Sequence, residues 1–258
     1  KTILDDTTFW TSYKNTVLYT IIGTMISMVM TTMFAYVLSK KHLMGRKFFT
    51  SFAIFTMFFQ GGLIPNYILI QALGWTNTIW AIVVPGAISI FNMLIMKSFF
   101  ESMPEELEEA AAIDGSSTYG TFFRIILPLS KPILATMFLF YAVGSWNSWF
   151  SAFLYLDQSD MYPVTLYLRN LLAGATTGQS AGATSADDLT QIAANIKAVT
   201  MVLTVLPILC VYPFVQKYFV SDGMIADLAI HKPDRDEGGI PNPHFHVLVP
   251  IRPLNADG

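Results

Sequence analysis

Apolar residues in this chain gather into long runs separated by short polar stretches, and each run is a candidate element. Thr16 to Leu38 is the first run long enough to cross a bilayer, which takes roughly 20 apolar residues. The basic residues Lys40, Lys41, Arg46 and Lys47 follow at once. A second run, Phe48 to Leu73, is broken by Gln60-Gly61-Gly62 and Pro65. The third covers Thr78 to Met96, with Gly74 closing the run before it and Asn77 placed as its N-cap. A fourth runs from Leu127 to Phe153 and a fifth from Ile196 to Phe219. The pattern predicts an all-α membrane protein, a bundle of about five transmembrane helices.

The polar stretches orient the bundle. Lys and Arg collect in Lys40–Lys47, in Lys97–Lys131 and after Lys217, so these segments face the cytoplasm. The residues before Thr16, the Ala72–Asn77 turn and Leu154–Ala194 then face outward, with sides alternating across five spans. Within the last of these, Ala173–Ala186 is rich in Gly, Ala, Ser and Thr and reads as a flexible loop.

Composition agrees with a membrane protein. The chain is 53% hydrophobic and 13% charged, where a soluble domain carries roughly 25% charged residues. A net charge of −3 gives no basic surface for nucleic acid. The one cysteine, Cys210, lies in an apolar run and excludes an internal disulfide and a cysteine zinc cluster. The sequence opens at Lys1 with no signal peptide in view.

Between the third and fourth runs lies a segment of another kind, Ser102 to Gly115. Ser102 and Glu105 have the spacing of a capping box, and Pro104 suits a first helical turn. Glu105, Glu106, Glu108 and Glu109 crowd the end where the helix dipole favours negative charge. Ala110, Ala111 and Ala112 propagate a helix, and Asp114-Gly115 stops it. A second helix, capped by Ser116 or Ser117, runs through Phe122 and Phe123 to Pro128. Such a helix-turn-helix is either an ordinary solvated hairpin or a compact element made to dock into a partner.

Glu109-Ala110-Ala111, Gly115, Ile125, Leu127 and Pro128 match the EAA-x3-G-x9-I-x-LP motif, and on them the chain resembles the permeases of ABC importers. The Gly61-Gly62-Leu63-Ile64-Pro65 break, the Leu73-Gly74 turn, Trp146-Asn147 and Tyr162-Pro163-Val164-Thr165 resemble the carbohydrate-uptake branch, in particular maltose-permease-like subunits. The resemblance covers 1–220. It implies a multi-pass protein of the bacterial inner membrane that takes up a sugar or sugar-like solute. It also implies three partners in the bilayer assembly: cytoplasmic ATP-binding subunits, a second permease subunit and an extracytoplasmic solute-binding protein. Glu109, Ala110, Ala111, Gly115, Ile125, Leu127 and Pro128 would couple ATPase closure to alternating access. The family usually has six spans, so its first is missing here, which implies a start before Lys1.

No phosphate loop of the form G-x4-G-K-[ST] occurs, so the chain is expected to be no enzyme and to hold no cofactor, ATP being bound by the partner. Gly61, Gly62 and Pro65 read either as a simple kink or as an interrupted helix lining the substrate pathway. Trp146 and Asn147 read either as interhelical packing or as a sugar-stacking site with a polar neighbour.

After Val220 the sequence changes character. Residues 221–258 are polar and Pro-rich, and His244 and His246 alternate along a strand-like segment. With His231 they make a candidate three-nitrogen metal site. This tail resembles the histidine motif of plasmid mobilisation relaxases, without the nucleophilic tyrosine segment. The alternative reading of the chain, a membrane-tethered metal-dependent DNA-processing protein, rests on the tail alone. The other reading of the tail is a disordered extension.

Overall fold

Side-chain polarity along the first helix runs opposite to that of a soluble protein, and the packing follows from it. In the computed structural model, which describes residues 6–176, isolated helical positions between 198 and 209, and two short strands, α1 spans Thr7–Ser39. Its N-cap is Asp6, whose carboxylate accepts from the Thr8 N–H at 2.8 Å. Small and polar residues are buried on it: Ser12, Thr16, Gly23, Ser27, Thr31, Ala35 and Ser39. Ile21, Met25, Val29, Met33 and Val37 are exposed. Lipid solvates apolar side chains as well as other protein does, so close approach of backbones decides which face turns inward.

Around α1 the remaining helices follow in order: α2 (Arg46–Phe58), α3 (Leu63–Ala72), α4 (Trp80–Val83) and α5 (Ile90–Glu101). Then come α6 (Glu106–Ile113), α7 (Thr118–Thr121), a π-helical turn (Phe122–Ile126) and α8 (Leu127–Leu129). α9 (Lys131–Asn147), α10 (Phe150–Tyr155) and α11 (Val164–Thr176) complete the described helices. α1 packs most extensively on α9 and α5. Thr31 and Tyr141 share a 2.6 Å hydroxyl bond across the α1–α9 seam, and the Tyr141 hydroxyl accepts from the Ser89 N–H at 3.2 Å.

The N-terminal half of α1 is tied to the loop before α11. Thr16 Oγ1 accepts from the Val164 N–H at 2.7 Å, and Asn15 Nδ2 and the Tyr19 hydroxyl donate to the Asp160 and Met161 carbonyls. The Tyr162–Thr165 signature therefore sits where the chain returns to α1. The Tyr167 hydroxyl donates to Asp6 at 2.7 Å, and burial together with that carboxylate pushes it up to about 12.

Several expectations from the pattern are corrected. Among the described residues α1 alone is long and apolar enough to cross a bilayer unaided. α2 and α3 qualify only together, bent by 109°, as do the segments Thr118–Leu129 and Lys131–Asn147, bent by 80°. The third run is two short helices, because Pro85-Gly86 interrupts it, and the fourth breaks again at Ser148. α11 occupies the start of the stretch read as a flexible loop, and the rest of that loop and most of the fifth run lie outside the described residues.

Asn77 is not an N-cap; Ile79 takes that position. Asn77 adopts a left-handed φ of 59° and reaches across the fold instead. Its Nδ2 donates to Asp157 at 3.1 Å, its Oδ1 accepts from the Asp157 N–H at 2.6 Å, and its own N–H donates to the Tyr155 carbonyl. Asn77→Ala loses the side-chain bonds that let an asparagine hold left-handed backbone, and should cost about 1–2 kcal/mol in a thermal melt of the solubilised protein. Asn77→Gly, free of the backbone strain, should lose less. Equal melting of parent and Asn77→Ala counts against the role.

The chain divides into two compact units, Lys1–Ile208 and Leu209–Gly258. Every regular element described in the first is helical. The second contains an antiparallel pair, β1 (Asp227–Ile230) and β2 (Phe245–Leu248), with Ala229 opposite His246. The composition change at Val220 falls within this second unit.

Candidate functional site

The hairpin between α5 and α9 forms as two unequal arms. Its first arm, α6, begins without the capping box expected from Ser102 and Glu105. Ser102 closes α5, its hydroxyl donating to the Phe99 carbonyl at 2.7 Å, and Glu105 is the N-cap of α6 with no side-chain bond to the backbone. Glu105 faces Lys41 instead, at 2.9 Å. That ammonium, by hydrogen bond and by charge, holds the Glu105 carboxyl below its ordinary range.

The end of α6 forms as the residues predict. Gly115 takes φ +77°, its N–H bonds the Ala112 carbonyl, and the Ser116 N–H bonds that of Ala111. These are the two bonds of a Schellman turn, which needs a residue tolerant of left-handed backbone. Ser117 rather than Ser116 caps α7, accepting from the Gly120 N–H.

The second arm is rooted in the bundle. Phe122 and Ile126 are buried with Tyr36, Met93, Met96, Phe100, Ile133 and Met137 in the main apolar cluster. Phe122 lies 4.5 Å from the Tyr36 ring centre. Ile125 and Leu127 are half-buried and Pro128 is exposed. Ile126, absent from the motif, is the most deeply buried residue of the arm at 1% exposure. Its apolar neighbours Ile125 and Leu127 share its hydropathy, so the run alone does not tell them apart.

α6 itself turns outward. Only Ala111 is buried; Glu109, Ala110, Ala112 and Gly115 are exposed, and Ile113 is 86% exposed. Tyr119 and Phe123 add apolar surface nearby on the second arm. The pattern of runs does not mark Ile113, Tyr119 and Phe123 as functional; their signal is an apolar side chain within a polar connecting segment.

A row of ion pairs joins α6 and the end of α5 to the basic corner between α1 and α2. Lys40 pairs with Glu108, Lys41 with Glu105, and Arg46 with Glu101, which also takes Lys97 at 2.8 Å. Lys40 lies 4.0 Å above the Tyr36 ring, and Arg46 Nε donates to the Leu38 carbonyl. A groove of 240 Å³ runs between the two elements, lined by Lys40, Lys41, His42, Glu105, Glu108 and Ala112 among others.

The other candidate residues fall in two places. Gly61, Gly62 and Pro65 make the sharp α2–α3 bend and are exposed. Trp146 is buried, edge-on to Tyr13 of α1 at 5.7 Å, whereas Asn147 is exposed and donates to the Val143 carbonyl. Next to them Arg169 lies 3.4 Å over the Trp149 ring. Of the tail histidines, His246 stands in β2, while His231 and His244 lie outside the described residues. Among the described residues no group of His, Cys, Asp and Glu could hold a metal.

Comparison with known proteins assigns the first unit. The model of the binding-protein-dependent transport system inner membrane component family matches residues 7–222, and that of the MobA/MobL family matches 208–258. Protein LplC of Bacillus subtilis (strain 168) is 41% identical over 231 residues, 88% of this chain and 77% of that protein. The polygalacturonan/rhamnogalacturonan transport system permease protein YtcP of the same organism is 39% identical, over 82% of this chain and 74% of its own. A solved bacterial ABC transporter involved in the import of the acidic polysaccharide alginate superposes with a TM-score of 0.73 at 32% identity, covering 84% of this chain and 77% of that one. A helical unit with a rooted hairpin whose first arm is exposed, matched over most of its length, thus places this chain in the family of binding-protein-dependent transport system inner membrane components.

Proposed function

We propose that the chain is the permease subunit of an ATP-driven importer of sugars or sugar-like solutes, and that α6 is its contact with the ATPase. The observation that carries this is the contrast between the two arms. α6 buries one residue and presents Glu109, Ala110, Ala112 and Ile113 outward, while the second arm is anchored through Phe122 and Ile126. A partner pushing on α6 thereby acts on the bundle core. Gly115 aims the arm, and Ile125, Leu127 and Pro128 carry the chain from the hairpin to α9. ATP is held by the partner, and the assembly includes a second permease subunit and an external solute-binding protein. The relatives named for polygalacturonan, rhamnogalacturonan and alginate support the solute class.

The pathway reading of the α2–α3 bend rests on its exposed backbone. Non-helical backbone at membrane depth persists only where protein or water covers it. Among the described residues no side chain approaches Gly61 and only Pro65 Cδ comes near Gly62, at 4.0 Å, so the cover we infer is a second subunit or a wet cavity. Trp146 serves packing against α1, and Asn147 is the member of the pair open to a solute. The metal reading of His231, His244 and His246 stands as a property of the tail alone.

The test is co-purification of the solubilised chain with an ATP-binding subunit of the same importer type from the same organism, co-expressed with it. Gly115→Val keeps the steric space around the turn, which is open, and strains its left-handed backbone by about 1–2 kcal/mol. At equal membrane insertion the parent should retain the ATPase and the variant should lose most of it. A parent that retains none refutes the reading.

A further inference from the structure

Charge, more than apolar contact, holds α6 in place. An eight-residue helix with one buried alanine has too little apolar contact to fix its orientation. Within the fold its main neighbour is α7, the other arm of the same hairpin. Against the bundle it is met by the ion pairs Lys40–Glu108 and Lys41–Glu105, and the row continues in Arg46 and Lys97, both paired with Glu101 at the end of α5. These pairs are unequal. Lys41 and Glu105 are more than half exposed, and such a pair contributes little. Lys40 and Glu108 are about one-third exposed, with Tyr36 beneath the ammonium, and Arg46, Lys97 and Glu101 are more sheltered still.

We propose that this row, centred on Lys40–Glu108, is a positioning device that makes α6 move with the α1–α2 corner as one body. The inference deepens the coupling reading above and rests on it. The hairpin then has two routes into the bundle: an apolar one through Phe122 and Ile126, and an ionic one into α1, the helix on which the other elements pack. An α6 joined through the apolar route alone would pivot about Gly115 when pushed. With both routes engaged, displacement of α6 has to move the cytoplasmic end of α1. Three of the four cations, Lys40, Lys41 and Arg46, come from one short corner and the three anions from the α5–α6 junction, so opposite charges face each other across the groove. Surface pairs at contact distance are weakened by salt but not abolished, and several in a row constrain orientation better than one.

The test uses the chain in complex with its ATPase. Cys210→Ser removes the only native cysteine, and spin labels are placed at Met44→Cys on the corner and Glu106→Cys on α6, neither of which is in the pairs. The dipolar broadening between the labels is recorded with and without ATP and vanadate. In the parent it should be strong and unchanged by nucleotide. Lys40→Glu and Glu108→Lys should each lose it, and the double exchange should restore it, an outcome that a merely structural role for either side chain does not produce. Single variants that keep the parent's broadening overturn the proposal, as does a double exchange that fails to restore it. A parent in which nucleotide changes the separation shows that α6 and the corner move apart and overturns it too. A parent that holds no ATPase instead refutes the coupling reading itself.

Discussion

Ile126→Asp should leave no stably folded chain in detergent. Ile126 is 1% exposed at the centre of the apolar cluster joining α1, α5, α9 and the hairpin. Removing its side chain costs about 2–5 kcal/mol, as for other buried aliphatic truncations. An unpaired carboxylate in the same place adds several more, because the cluster offers no cation and few donors. The sum rivals the whole stability of an ordinary domain, about 5–15 kcal/mol. Size-exclusion chromatography and a thermal melt should therefore show aggregated material with no cooperative transition. Phe123→Asp, earlier in the same π-helical turn but exposed, should melt with the parent. An Ile126→Asp protein that elutes and melts normally would show that the second arm is not anchored as described.

Gly23→Phe should separate α1 from its neighbours, whereas Gly23→Ala should be nearly silent. A Cβ at Gly23 meets Ser145 Oγ and Val83 Cγ1, each at 3.5 Å, which is ordinary contact and leaves room for one methyl group. A ring has no such room between α1, α4 and α9. Overpacking of a closed seam costs about 1–3 kcal/mol, and forced separation of helices more. Backbone approach is what lipid-embedded helices gain in place of a hydrophobic driving force. The melting point of the phenylalanine variant should fall by several degrees while that of the alanine variant stays within error. Equal melting of all three proteins would mean that α1 does not pack through its small face.

How far the sequence goes is clear from individual residues. Gly74 and Gly115 were legible as stops because each closes a helix with left-handed backbone, and both form Schellman turns. The hairpin was legible from its acidic start, alanines and glycine. Ser102 and Asn77 misled because their short polar side chains satisfy either a cap or a competing bond, and the competitor in each case is set by tertiary structure. The bend of 109° at Gly61-Gly62 was visible as a break but not as an angle, since glycine permits many and the surroundings choose. The inward face of α1 was illegible to a search for apolar stripes, because through its middle Gly23, Thr24, Ser27 and Thr31 turn inward while Ile21, Met25, Val29 and Met33 turn away. The ion pairs were out of reach for another reason: Lys40 and Glu108 are distant in sequence, and charge alone does not say which partners meet.

The π-helical turn at Phe122–Ile126 gives the second arm an uneven tolerance to changes in length. The Leu127 N–H bonds the Phe122 carbonyl, five residues back, so the turn holds one residue beyond the α-helical repeat. Deleting a residue there lets the turn tighten to ordinary pitch, with the flanking turns keeping their facing. The same deletion within α9 rotates everything on one side of it by about 100°. Insertion has no such reserve anywhere in the arm. Of all the segments linking hairpin to bundle, this one can be shortened without changing its aim.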